Sequence, residues 1–142
     1  MPSDTLFKTA NAVHRFVQRA SFGKLGWRAY RMPVIELTTT GRKSGQARTV
    51  LLTSPRQDGD AIVVVASRGG DDTNPAWYHN IQADPEVRVK TDGRPARPMR
   101  ARVATADERA RLWALVMASH PHYGNYQKKT EREIPLVLLE PA

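Results

Sequence analysis

From Val34 to Ser67 the chain runs strand, turn, strand, turn, strand, with no helix-length segment between. Val34, Ile35 and Leu37 lead into a threonine run over residues 34–40. A glycine-bearing turn follows, and Arg48–Ser54 reads as the second strand. Asp58-Gly59-Asp60 then turns the chain into Ala61–Ser67, whose Ala-Ile-Val-Val-Val-Ala run leaves neither face polar and marks a buried strand. Strands joined by connections this short must pair antiparallel, because a parallel pair needs a crossover of a dozen or more residues.

The rest of the chain repeats the pattern. Glu86–Thr91 and Ala96–Ala104 form a hairpin across Asp92-Gly93, and residues 135–140 make a last strand. Helices are expected at three places. Residues 4–20 repeat apolar side chains at three- and four-residue spacing. Asn74-Pro75 opens a second helix, with Asn as cap and Pro in the first turn, that stops by Asp84-Pro85. Thr105 and Glu108 form a capping box for a third helix, to about Ser119. The fold class is therefore mainly β with helices (α+β): an antiparallel sheet closed into a barrel with helices around it, and not a Rossmann fold.

A chain of 142 residues is expected to form a single domain, 1–142. Within it, residues 1–24 hold an N-terminal amphipathic helix and residues 30–142 the barrel. Without cysteine there is no disulfide framework, thiolate metal site or cysteine nucleophile, and a reducing cytoplasm is compatible. No signal peptide or apolar membrane span is expected. The net charge of +8 favours polyanionic partners: nucleic acid, an anionic membrane, or a polyanionic small molecule. An aromatic content of 7% weakens any reading built on base stacking.

Between the first two strands, Thr38–Arg48 sets Arg42, Lys43 and Arg48 around Gly41 and Gly45. Such a turn exposes backbone N–H groups and cations to one small volume, which suits a phosphate or a set of carboxylates; a solvated basic hairpin is the alternative. A phosphate-loop NTPase fails on spacing, since Leu37 occupies the place of the first glycine and Arg42 precedes the lysine. His14, His79, His120 and His122 form no metal template, so no metal is expected. Asp71 and Asp72 read as loop caps, and no serine has a nucleophile context. A second basic stretch, Arg88 to Arg102, is either a solvated outer sheet face or a further anion surface. Cations, aromatics and hydroxyls without catalytic machinery suit an enzyme whose cofactor carries the chemistry.

Three segments in order resemble a known family. They are Thr40-Gly41-Arg42-Lys43-Ser44-Gly45-Gln46-Ala47-Arg48; Ala66-Ser67-Arg68-Gly69-Gly70 followed by Asn74-Pro75-Ala76-Trp77-Tyr78-His79-Asn80; and His120-Pro121-His122-Tyr123-Gly124-Asn125-Tyr126-Gln127 followed by Arg132-Glu133-Ile134-Pro135. Over roughly residues 30–142 the chain is similar to the deazaflavin-dependent nitroreductases, the reductases that use coenzyme F420. The resemblance implies a split antiparallel β-barrel like that of flavin reductases and FMN-binding proteins. It also implies a cofactor with a deazaflavin ring, a phosphodiester and an oligoglutamate tail. By resemblance, Arg42, Lys43 and Ser44 contact the phosphate and tail, with Gln46 and Arg48 nearby. Ser67, Arg68 and Gly69 lie beside the ring and linker, Ala76, Trp77 and Asn80 on the flanking helix, and Tyr123 and Tyr126 in the acceptor pocket.

The implied reaction is hydride transfer from the reduced coenzyme to an electron-poor acceptor such as a quinone, an enone or a nitro compound. Tyr126, Tyr123 or Ser67 would hydrogen-bond the developing oxyanion. His120 and Thr53 stand where the nitroreductase branch commonly carries aromatics, which implies a different pocket. An FMN-binding oxidoreductase on the same barrel is the alternative, and a basic nucleic-acid-binding module a more remote one. The expected partners are a small-molecule hydride acceptor and no nucleic acid, in a monomer or homodimer. The expected location is the cytoplasm, with the N-terminal helix a candidate for contact with the inner membrane face.

Overall fold

The computed structural model describes residues 28–29, 32–91 and 93–142. The expected helix over residues 4–20 lies outside them. Among the described residues, eight strands pair antiparallel throughout: β1 (Arg28–Ala29), β2 (Met32–Thr40), β3 (Ala47–Thr53), β4 (Arg56–Asp58), β5 (Ala61–Val65), β6 (Glu86–Lys90), β7 (Arg97–Val103) and β8 (Leu136–Pro141). The order is β3-β2-β6-β7-β8-β5-β4, with the short β1 added to β2. The two end strands, β3 and β4, are consecutive in sequence. The sheet thus curls until its edges are bridged only through Ser54-Pro55, as a split barrel. Ser54 holds that seam, its N–H donating to Pro33 O at 2.9 Å and its hydroxyl to Val63 O at 2.7 Å.

The same residues form three α-helices: α1 (Ala76–Ala83), α2 (Ala106–Ser119) and α3 (His122–Lys128). They divide the core in two. Inside the barrel, Ile35, Leu37, Val64, Val89 and Leu139 pack with Trp77 and Ile81 of α1. Outside it, Val63, Val65, Leu136 and Leu138 pack with Leu112 and Val116 of α2 and Tyr123 of α3. Strand β5 is buried on both faces because Ile62 and Val64 join the first cluster while Ala61, Val63 and Val65 join the second. On β6 and β7, Val87, Val89, Met99 and Ala101 point in, while Arg88, Lys90, Arg97 and Arg100 point to solvent. Arg102 is tied to Glu108 at 2.7 Å and Glu140 at 2.8 Å, and Glu108 also closes the capping box of α2.

The structure corrects the sequence reading in three places. Helix α1 is capped by Pro75 without a side-chain bond, because the Asn74 carboxamide oxygen accepts instead from Arg132 Nη1 at 2.8 Å. Strand β4 is short enough to pass for a turn. Residues 122–128, outside the three helices expected from the sequence, form α3. Gly124 hides this helix from a propensity argument; it packs beneath the end of the Met117 side chain, which would have to move for a Cβ to fit.

Candidate functional site

The β2–β3 hairpin tip is built from the backbone outward. Gly41 N–H donates to Gln46 O and Gly45 N–H to Gly41 O, each at 2.8 Å, which closes residues 41–46 into a compact turn. Gly45 takes φ +71°, where glycine avoids the Cβ clash. A Cβ on Gly41 would come within 2.6 Å of Ser44 Oγ. That hydroxyl oxygen accepts from Gln46 N–H at 3.2 Å and from Arg48 Nη2 at 3.5 Å, which leaves its O–H to donate.

The tip is fastened to α1 by Asn80, which is only 7% exposed. Its Oδ1 accepts from Arg42 N–H at 3.1 Å, and its Nδ2 donates to Thr39 Oγ1 at 3.0 Å. One buried amide therefore joins β2, the loop and the helix. The Arg42, Lys43 and Arg48 side chains stay exposed and form no ion pair with another described residue. They line a cavity of about 700 Å³ together with Ser44, Val50, Ala76, Trp77 and Asn80. Its apolar side is Val50, Ala76 and the edge of the buried Trp77; its polar side is cationic. A ligand that suits both is an anion carrying a flat or apolar body.

Beyond α1 lies the second segment. Arg68, Gly69 and Gly70 take φ values of +46°, +64° and +85°, three left-handed residues in succession. The Arg68 guanidinium turns inward, donating to Asp71 Oδ2 at 2.8 Å and to Thr73 Oγ1. Asp71 is itself buried, and its other oxygen accepts from Asp72 N–H at 2.8 Å. Gly70 lies flat against α3, where a Cβ would come within 2.7 Å of Tyr126 O. The Ser67 turn and Tyr126 are thus neighbours.

The two tyrosines differ. Tyr126 is half-buried, edge-on to His122 at 5.6 Å and to Tyr123 at 5.9 Å. Tyr123 is 4% exposed; its hydroxyl shares a hydrogen bond with Thr53 Oγ1 at 3.1 Å and donates to Met32 Sδ at 3.6 Å. Burial raises its pKa, partly offset by the Thr53 bond. Thr53 and Tyr123 are therefore a matched pair bridging β3 and α3. His122 is held below its ordinary pKa by burial, with the neighbouring His120 adding to the effect.

The structure thus brings Arg42, Lys43, Ser44, Arg48, Ala76, Trp77 and Asn80 around one cavity, with Gln46 in the tip itself. It sets Gly70, at the end of the turn that carries Ser67, Arg68 and Gly69, against the Tyr126 backbone, and places none of these residues on that cavity. It gives the side-chain groups of Arg68, Asn80 and Tyr123 partners within the protein. Sequence reasoning missed the role of Arg132, whose guanidinium carries four acceptors from the 66–74 loop. An arginine between two glutamates in a connecting loop gives no sign of this. No group of three or more metal-ligating side chains occurs among the described residues, and none of their helices is long and apolar enough to cross a membrane.

The arrangement is a split barrel with a cationic hairpin tip beside a helix whose Trp77 and Ile81 pack into the barrel core. The profile of the F420H(2)-dependent quinone reductases matches residues 11–141. An F420H(2)-dependent quinone reductase of Mycobacterium tuberculosis is 41% identical over 133 residues, covering 89% of this chain and 87% of that protein. A solved F420-H2 dependent reductase shares 41% identity over 76% of this chain and 94% of its own, with a TM-score of 0.66. A second structure, described as a domain-swapped dimer, shares 36% over 93% of this chain and 99% of its own, with a TM-score of 0.68. The chain belongs to the F420H(2)-dependent quinone reductase family, and is an oxidoreductase that uses coenzyme F420.

Proposed function

We propose that the chain reduces a quinone with reduced coenzyme F420, and that the coenzyme is gripped by the β2–β3 hairpin tip. The observation that carries this is the set of three exposed cations, without a carboxylate partner among the described residues, on a cavity whose other wall is Val50, Ala76 and Trp77. The donor set fits the group: guanidinium and ammonium groups suit a phosphate and carboxylates, and the apolar wall suits an uncharged ring. Arg42, Lys43 and Arg48 would hold the acidic part, with Ser44 and Gln46 shaping the turn. Ala76 and Trp77 would flank the rest, with Ser67 and Gly69 beyond them. Asn80 and Arg68 act here as positioning residues, since their polar groups already have partners in the chain.

When bound, the reduced coenzyme supplies the hydride. The chain's own contribution is orientation and charge stabilisation. Tyr126, beside the Ser67 turn, donates a hydrogen bond to the acceptor oxygen as it gains negative charge. Tyr123 backs Tyr126 edge-on at 5.9 Å, its hydroxyl committed to Thr53 and Met32. The aromatic edges of His122 and Tyr126 give a flat acceptor an apolar rest and limit water beside it. The structural relative described as a domain-swapped dimer makes a homodimer the assembly to test for this chain.

The deciding experiment adds reduced F420 and a soluble quinone to the purified protein and follows reappearance of the oxidised coenzyme. Turnover with the quinone is expected. A parallel titration with FMN tests the flavin alternative, and tighter binding of FMN than of F420 would overturn the proposal.

A further inference from the structure

We infer that Arg132 is a positioning residue for the reaction, setting the Ser67–Gly70 turn against the helix that carries Tyr126. This rests on the reading above that Ser67 and Tyr126 border the acceptor. Four acceptors meet one guanidinium. Nε donates to Asp71 O at 2.8 Å, Nη2 to Ser67 O at 2.8 Å, and Nη1 to Ala66 O at 3.3 Å and to Asn74 Oδ1 at 2.8 Å. The carbonyls of Ala66 and Ser67 precede the three left-handed residues and that of Asp71 follows them. Arg132 therefore grips both ends of a backbone run that includes a non-glycine residue at φ +46°. Such a conformation persists only where the surroundings hold it.

Arg132 is itself held. Gln127 of α3 donates from Nε2 to Arg132 O at 2.7 Å and accepts from Ile134 N–H at 2.9 Å. Arg109 of α2 donates from Nε to Ile134 O at 3.0 Å and lies 4.6 Å over the Trp113 ring. The residue next to Gln127 is Tyr126, whose backbone abuts Gly70. The same short network thus anchors the helix bearing one hydroxyl and the turn bearing the other. It needs an arginine: a planar guanidinium offers five donors in a fixed fork, whereas a lysine offers three from a single point. None of these bonds reaches into the cavity, so Arg132 acts through the turn.

The test uses Arg132→Lys and Arg132→Gln in the full chain, with Arg132→Lys as the milder change should the other fail to fold. Hydrogen exchange is read at Gly70 and Asp71, whose amides bond to Ser67 O and Arg68 O, and at Gly41 and Gly45 in the tip. Exchange at Gly70 and Asp71 should rise about tenfold or more while the tip amides keep their protection. In the same variants kcat for a soluble quinone such as menadione should fall by up to about 100-fold while the F420 dissociation constant rises by no more than about threefold, since the cationic tip keeps its hold on the acidic part. Unchanged exchange at Gly70 and Asp71 in a folded variant would overturn the assignment, as would equal losses of kcat and coenzyme affinity. Absence of quinone turnover in the unmutated protein overturns the enzymatic reading instead, and the exchange data judge the clamp separately.

Discussion

Asn80 on α1 accepts the backbone N–H of Arg42 at 3.1 Å, so the helix that plugs the barrel also fixes the cationic hairpin. The second half of the same amide donates to Thr39. Asn80→Ala should cost about 1–3 kcal/mol, because it leaves buried polar groups unpaired. F420 affinity should fall with it as the tip loosens. Urea unfolding and a coenzyme titration measure both effects, and unchanged affinity in the folded variant would separate the tip from the site.

The cations themselves should behave differently. Arg42 and Lys43 are exposed, so changing both to Ala should alter stability by no more than about 0.5 kcal/mol. Coenzyme binding should weaken by about 1.5–3 kcal/mol for each charge-assisted hydrogen bond removed, and by less at high salt, where exposed charges are screened. Titration at two ionic strengths tests this; affinity equal to that of the unmutated protein moves the anion site elsewhere.

The two tyrosines make a paired test. Tyr123→Phe removes a buried hydroxyl bonded to Thr53 and Met32 and should cost about 0.5–1.5 kcal/mol of stability with turnover retained. Tyr126→Phe should leave stability and coenzyme binding intact and lower kcat. The reverse pattern, with Tyr123→Phe the slower enzyme, would exchange the roles assigned here.

Gly70 and Gly45 both sit at positive φ, yet only one is enclosed. A Cβ on Gly45 meets nothing within 4 Å, so Gly45→Ala should cost only the backbone strain, about 1 kcal/mol. On Gly70 it meets the Tyr126 backbone at 2.7 Å. Gly70→Ala should therefore destabilise the protein more and disturb quinone turnover as α3 shifts. Thermal melts and steady-state rates compare the two.

His122 should make stability depend on pH. Burial, with His120 adding, lowers its pKa from 6.5, so the folded state binds fewer protons than the unfolded one below that value. Its contribution is complete above pH 6.5 and is lost as the pH falls toward and through the lowered value. His122→Gln should flatten that part of the profile as the pH falls through and below 6.5. Urea midpoints across the range decide the matter, and parallel profiles for the two proteins would remove His122 from it.

What the sequence determined by itself was local. The apolar run of β5, the glycine turns and the Thr105–Glu108 box each draw on neighbours within a few residues, and hairpin connectivity leaves little but an antiparallel barrel. The cationic tip was legible for the same reason, since Arg42, Lys43 and Arg48 lie within one turn. What only the tertiary structure decided is which side chains are spent on the protein itself. Asn80 reaches Thr39 41 residues away, Tyr123 meets Thr53 across 70, and Arg132 meets the 66–74 loop across up to 66. Such bonds form because buried polar groups must find partners once the barrel closes, and the identity of those partners follows from the packing of α1 and α3.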